Sequence, residues 1–202
     1  NISGLKQGET DRKNTAGGTE KNLELAGPSV YGYYEQRKKR GGNGTGRQGR
    51  PLKIYLDTSA LIKLYIIEDG SASVDKIISE NAAPLPVWDL HVIEFHNALK
   101  LKVFRSELNE KEAFHLSALF KERKKAGIYY SPELDRKDHT ELCLTYTDFS
   151  AEIGCRSLDI MHVAAASLFR ADRFITFDTR QAGLAKKAGI NADLLKSKKQ
   201  SG

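Results

Sequence analysis

From Pro51 onward, the hydrophobic positions alternate between short apolar runs and longer stretches with helical spacing. Short apolar runs bounded by turn residues favour strands, whereas apolar positions that recur every three or four residues favour amphipathic helices. The runs that predict strands are "LKIYL", "PLPV", "GIYYS" and "RFITF". Strands separated by helices pair in parallel, so the pattern predicts an α/β sandwich.

The stretches between these strands carry helix start and stop signals. Gly70 and Gly127 are predicted stops, and Asn109 with Glu112 three residues later predicts a capping box. The predicted helices cover residues 59–70, 71–81, 89–104, 109–127, 138–154, 158–170 and 179–189.

Composition divides the chain into a tail and a domain. Residues 1–50 hold 11 of the 17 glycines and ten Lys and Arg against five Asp and Glu, so the other 152 residues are nearly neutral, with 22 against 21. Such a Gly-rich basic segment cannot bury enough apolar surface to fold. We predict a disordered tail over 1–50, a folded domain over 51–196 and a disordered end over 197–202. The tail is either an inert extension, which we favour, or a basic arm for RNA.

No apolar run approaches the roughly 20 residues that a membrane span needs. The two cysteines, Cys143 and Cys155, are too few for a disulfide framework and are predicted to be buried thiols. With no signal peptide visible at the start of the chain, we expect a cytoplasmic protein without membrane contact.

Two aspartates end predicted strands. Asp57 follows "LKIYL" and Asp178 ends "FITFD". The carboxyl ends of parallel strands open into the ligand-binding crevice of an α/β sheet, so the two carboxylates are expected to share it if the strands are neighbours. For Asp57, followed by Thr58 and Ser59, helix capping is an equally simple explanation.

Two further acids lie on predicted helices. Glu94 falls between Leu101 and Ala98 on an apolar stripe, where a carboxylate needs a partner or a metal unless it reaches solvent and pairs with a lysine. Asp159 lies in a first helical turn, with Ser157 as the expected N-cap, and the helix dipole alone would explain it. As a set, the four acids form a plausible oxygen cage for Mg²⁺ or Mn²⁺.

The chain resembles the PIN-domain nucleases, in particular VapC-type toxins of toxin–antitoxin pairs. "LDTSALIKLY", "VIEFHNAL", "SLDIMHVAAA" and "FITFD" look like the four acidic motifs of that family, in order, within residues 52–195. The resemblance implies a three-layer sandwich around a central parallel sheet. It also implies a metal-dependent ribonuclease that hydrolyses RNA with a metal-activated water, and in which Asp57, Glu94, Asp159 and Asp178 bind Mg²⁺ or Mn²⁺.

Three more residues are candidates near these acids. Ser59 and Thr176 are expected to orient the carboxylates by hydrogen bonds, although capping and strand packing explain them equally well. His162 lies one helical turn after Asp159, and we favour a buried structural role for it.

The resemblance further implies an antitoxin partner and a homodimer. Leu61, Leu64, Tyr65 and residues 114–120 would supply an apolar docking surface, unless they are ordinary core. The alternative functions are a stand-alone RNA-processing PIN nuclease, and a noncatalytic module of the same fold that binds RNA or protein. The sequence contains no GxGxxG motif after a strand, no Walker loop and no HExxH.

Overall fold

The computed structural model describes residues 52–80 and 83–196. The predicted disordered segments, 1–50 and 197–202, lie outside the described residues, and the domain boundaries remain a prediction. Within the described ranges, no helix combines the length and the apolar character needed to cross a bilayer.

The described residues include five short strands, which form two parallel sheets. Strands β1 (Ile54–Leu56), β4 (Arg173–Thr176) and β5 (Asn191–Leu194) pair in the order β1-β4-β5. Strands β2 (Leu85–Pro86) and β3 (Tyr129–Tyr130) pair with each other, and β2 lies against β1. All of these pairings are parallel, as the alternation of strands and helices predicted.

Helices connect the strands. In chain order they are α1 (Thr58–Ile62), α2 (Ser71–Glu80), α3 (Asp89–Phe104), α4 (Glu110–Lys125), α5 (Arg136–Thr147), α6 (Ser150–Ile153), α7 (Ser157–Leu168) and α8 (Thr179–Lys187). The capping box predicted at the start of α4 is present, with Asn109 and Glu112 exchanging hydrogen bonds of 2.7 and 2.9 Å.

Alternate residues of the central strands face two separate cores. Ile54, Leu56 and Ile175 pack with residues of α1 to α4, while Tyr55 and Phe174 pack with residues of α5, α7 and α8. This two-residue period is that of a strand buried on both faces. The predicted fold class, a three-layer α/β sandwich around a parallel sheet, is therefore confirmed.

The helix predicted over 59–70 is much shorter than expected. It ends at Ile62, because the buried guanidinium of Arg123 donates to the carbonyl of Leu64 at 2.8 Å, and the amide of Glu68 donates to the hydroxyl of Ser71. Both backbone groups are thereby used outside a helical ladder. Gly70, the predicted stop, has a φ of +89° and precedes α2.

Two other elements differ from the sequence prediction. The helix predicted over 138–154 is divided into α5 and α6. The hydroxyls of Thr145 and Thr147 donate to carbonyls of the preceding turn, and such bonds weaken the end of α5. Strand β5 was not predicted, because "NADL" is short and contains no β-branched or aromatic residue. It is an edge strand that Asp193 ties to Arg173 at 2.8 Å.

The proposed apolar docking surface is mostly core. Leu61, Leu64 and Tyr65 are at most 2% exposed, so the core interpretation is confirmed for them, whereas Phe114 on α4 is 78% exposed.

The thiols of Cys143 and Cys155 are free but only half-buried, which corrects the prediction that both are buried.

Candidate functional site

Asp57 lies where β1 gives way to α1, and it is 2% exposed. Its Oδ1 accepts a hydrogen bond from the amide of Ala60 at 2.8 Å, so Asp57 is the N-cap of α1. The capping explanation of Asp57 is therefore confirmed. Asp57 is also more buried, and has more hydrogen-bond donors, than an N-cap requires.

Two hydroxyls hold the Asp57 carboxylate from either side. Ser59 Oγ lies 2.8 and 2.9 Å from the two carboxylate oxygens, and Thr176 Oγ1 donates to Oδ2 at 2.7 Å. Burial raises the pKa of Asp57, although the hydrogen bond from Thr176, the charge of His162 and the bonds from Ala60 and Ser59 act in the opposite direction. Both residues expected to orient the carboxylates therefore contact Asp57.

Asp178 follows β4 and is the N-cap of α8. Its Oδ1 accepts from the amide of Arg180 at 2.7 Å, and the Arg180 guanidinium lies 3.1 Å from Oδ2. The amide of Asp178 donates to Thr176 Oγ1 at 2.9 Å, so one hydroxyl links Asp57 to Asp178. Burial opposes ionisation of Asp178, but the hydrogen bonds and charge of Arg180 prevail and lower its pKa.

Asp159 lies in the first turn of α7 and is 6% exposed. Its Oδ2 accepts from the amide of Arg156 at 2.8 Å, and its Oδ1 accepts from Gln181 Nε2 at 3.0 Å. The N-cap position belongs to Arg156 and not, as predicted, to Ser157. Asp159 thus contacts the first turn of α8, whose N-cap is Asp178.

Glu94 lies at the edge of the buried face of α3. The apolar stripe predicted for this helix, with Glu94 between Leu101 and Ala98, is wrong. Leu101 is exposed, whereas Phe95 and Leu99 are buried. Its Oε2 lies 2.6 Å from His162 Nε2 and accepts from Thr58 Oγ1 at 2.5 Å. The partner of Glu94 is therefore a histidine and not a lysine. Burial opposes ionisation, but the hydrogen bonds from His162 and Thr58 outweigh it and lower the pKa of Glu94.

His162 is buried and hydrogen-bonded, as the structural interpretation predicted, but it also touches one of the four acids. Its Nδ1 lies 2.8 Å from the hydroxyl of Tyr55, which accepts from Trp88 Nε1 at 2.7 Å. Sequence reasoning did not identify Thr58, His162 or Gln181 as partners of the acids. The spacing of Asp159 and His162, one helical turn apart, was the available signal for the histidine.

Intermediate groups connect three of the four acids, Asp57, Asp159 and Asp178, while Glu94 contacts Thr58 and His162. The Thr176 hydroxyl joins Asp57 to Asp178. Gln181 joins Asp159 to Asp178, because its side-chain Nε2 donates to Asp159 and its backbone nitrogen lies 3.4 Å from Asp178 Oδ1. Within residues 52–80 and 83–196, no three His, Cys, Asp or Glu side chains are already gathered into a group that could hold a metal ion. Nor does Asp57 or Asp159 form a salt bridge in that part of the chain.

No protein-family model matches the chain, and no curated protein is significantly similar to it in sequence. Among solved structures, the chain is similar to FitAcB from Neisseria gonorrhoeae, with 17% identity, a TM-score of 0.48, and coverage of 69% of this chain and 95% of that one. It is also similar to PAE2754 from Pyrobaculum aerophilum, with 20% identity, a TM-score of 0.43, and coverage of 70% and 89%. Both similarities concern the fold alone.

Proposed function

We propose that this chain is a PIN-type endoribonuclease that depends on Mg²⁺ or Mn²⁺ and acts as the toxin of a type II toxin–antitoxin pair. The observation that carries the proposal is the burial of two carboxylates, Asp57 and Asp159, without a salt bridge among the described residues. Buried charges in proteins are paired or bind metals. Both acids are linked to Asp178, at the end of the sheet where ligands of α/β proteins bind.

The donor set fits a hard divalent cation. Asp57, Glu94, Asp159 and Asp178 offer only carboxylate oxygens, which Mg²⁺ and Mn²⁺ prefer. The lowered pKa values of Glu94 and Asp178 keep both ionised at neutral pH. Because these acids are not gathered into a ready-made group of three, the proposal rests on their chemistry, burial and linkage.

The surrounding residues hold each acid in a defined orientation. Ser59 and Thr176 fix Asp57, while Thr58 and His162 fix Glu94. None of these groups is needed as a nucleophile, since hydrolysis of a phosphodiester uses water. A bound cation would lower the pKa of water and offset the charge that develops on the phosphodiester.

Cleavage assays with a matched pair of variants test the nuclease proposal. Asp159 and Asp138 both occupy the third position of a helix, in α7 and α5, but Asp138 is exposed. Both therefore receive a similar dipole contribution, about 0.3–1 kcal/mol. We expect Asp159→Asn to abolish Mg²⁺-dependent RNA cleavage and Asp138→Asn to retain it. Equal cleavage by the two variants would contradict the role of Asp159, and an absence of Mg²⁺-dependent cleavage by the wild type would support the noncatalytic alternative.

Melting curves test metal binding independently of activity. A cation that binds only the folded state raises the melting temperature by mass action. We expect Mg²⁺ to raise it for the wild type, and the increment to shrink or vanish for Asp57→Asn and Asp159→Asn. In chelator, both variants should be at least as stable as the wild type, because each removes a buried charge. Equal increments in all three proteins would argue against the metal site.

Expression in a bacterial host separates a toxin from a stand-alone processing nuclease. A toxin should arrest growth when its four acids are intact, and a small DNA-binding antitoxin encoded in the neighbouring reading frame should reverse the arrest. The stand-alone alternative predicts cleavage without arrest and no such neighbour. Light scattering on the purified chain tests the proposed homodimer.

A further inference from the structure

Gln181 touches two of the four acids with two different groups. Its side-chain Nε2 donates to Asp159 Oδ1 at 3.0 Å, and its backbone amide lies 3.4 Å from Asp178 Oδ1. The residue lies in the first turn of α8 and is 8% exposed. One residue of α8 thus joins an acid of α7 to the acid that follows β4.

We propose that Gln181 is a positioning residue that holds the Asp159 carboxylate for cation binding. This inference rests on the proposed function. With Arg156 donating to Oδ2 and Gln181 donating to Oδ1, both oxygens of Asp159 are oriented while each keeps a lone pair. Groups that hydrogen-bond metal-binding carboxylates fix their orientation and thereby tune metal affinity.

A purely structural role explains Gln181 poorly. Its Oε1 is buried and has no hydrogen-bond partner among the described residues. An unpaired buried acceptor destabilises a protein, and an apolar side chain of the same length would avoid that penalty. Rotating the amide by 180° would bring Oε1 against the Asp159 carboxylate, so the donor must stay where it is. Local rules are most often broken at functional sites.

The side chain of Gln181 carries no charge, which favours cation binding by Asp159. A Lys or Arg at position 181 would neutralise Asp159 through an ion pair and compete with a cation for it. Gln181 instead supplies a donor without a charge. It therefore orients Asp159 and leaves its negative charge available, which contrasts with the ion pair that Arg180 makes with Asp178.

The test uses Gln181→Met, which keeps the length of the side chain and removes both the donor and the unpaired acceptor. The control is Lys186→Met, an exposed position on the same helix. The readout is the Mg²⁺ concentration that gives half of the maximal rise in melting temperature. We expect this concentration to rise about tenfold or more for Gln181→Met and to stay unchanged for the control. The melting temperature of Gln181→Met in chelator should stay close to that of the wild type, because the loss of the donor to Asp159 is offset by the removal of the unpaired Oε1.

A double variant shows whether Gln181 acts through Asp159. In an Asp159→Asn background, Gln181→Met should cause no further change in the Mg²⁺ response, since a shared pathway makes the effects non-additive. A normal Mg²⁺ response of Gln181→Met, a large loss of stability in chelator, or additive effects would overturn the inference and leave the nuclease proposal intact. A wild type without any Mg²⁺ response would overturn both, and the wild-type measurement alone identifies that case.

Discussion

His162 Nε2 lies 2.6 Å from Glu94 Oε2 and joins helix α7 to helix α3. The two residues are 68 positions apart in the sequence. The other ring nitrogen lies 2.8 Å from the hydroxyl of Tyr55 on β1. The pair therefore connects three elements of the sandwich around the second acidic motif. It also accounts for a half-buried carboxylate that has no lysine or arginine partner within residues 52–80 and 83–196.

Removing this histidine should destabilise the fold. We expect His162→Ala to lower the free energy of unfolding by roughly 2–4 kcal/mol, because it leaves a cavity and removes a buried donor. His162→Gln should cost less, since the amide can still donate to Glu94. Urea denaturation of the two variants measures the difference. Similar losses for both would show that packing, and not the hydrogen bond to Glu94, dominates.

The contributions of Asp57 and Glu94 to the free energy of unfolding should change in opposite directions as the pH rises. The folded pKa of Asp57 is raised, so its favourable contribution is fully present below its unfolded pKa of 3.8 and is lost as the pH rises through the folded pKa. The folded pKa of Glu94 is lowered, so its contribution is present above the unfolded pKa of 4.5 and is lost as the pH falls through the folded pKa.

The substitutions Asp57→Asn and Glu94→Gln isolate these two contributions. As the pH rises above 3.8, the free energy of unfolding of Asp57→Asn should increase relative to that of the wild type. The free energy of unfolding of Glu94→Gln should decrease relative to that of the wild type as the pH rises, mainly below pH 4.5. Unfolding measured with chelator at a series of pH values records both differences. Slopes of the same sign would contradict the assigned causes.

Gly70 is required by both its backbone and its surroundings. It has a φ of +89°, and a Cβ at this position would lie 2.5 Å from the ring of Phe177, the residue before Asp178. The control is Gly127, which has a φ of +76° and open space around it. We expect Gly127→Ala to cost about 1–2 kcal/mol from conformation alone, and Gly70→Ala to cost about 1–3 kcal/mol more from the clash.

The same pair of variants should differ in activity. Displacing Phe177 would move its neighbour Asp178, so Gly70→Ala should reduce Mg²⁺-dependent cleavage, while Gly127→Ala should not. Thermal melts and initial cleavage rates of both proteins provide the measurements. A Gly70→Ala protein as stable and active as the control would show that Phe177 relaxes freely.

Arg123 stabilises the turn that ends helix α1. Its guanidinium donates to the carbonyl of Leu64 and lies 4.4 Å from the centre of the Tyr65 ring. We expect Arg123→Ala to cost roughly 3–5 kcal/mol, since it creates a cavity and leaves the carbonyl unpaired. Arg123→Met should cost about 1–3 kcal/mol, because the packing is largely kept. Denaturant titrations measure the free energy of unfolding of both variants. Equal losses of stability would contradict the expectation that Met keeps the packing that Ala removes.

The sequence alone determined the fold class and most of the helices. Helix α3 has the predicted bounds, and α4 begins at the predicted capping box because Asn109 and Glu112 interact over three residues. The alternation of strands and helices was enough to predict parallel pairing. These features depend on neighbours in the sequence, where periodicity and capping decide the outcome.

Only the tertiary structure decided how the acids are held. The sequence located Asp57 and Asp178 at strand ends, but Thr176 links them only because β1 and β4 are adjacent strands. The partners of Glu94 and Asp159, His162 and Gln181, are respectively 68 and 22 residues away. Likewise, α1 ends early because Arg123, 59 positions from Leu64, takes a carbonyl that a longer helix would use. Such contacts arise from the packing of distant elements, and no local pattern of residues encodes them.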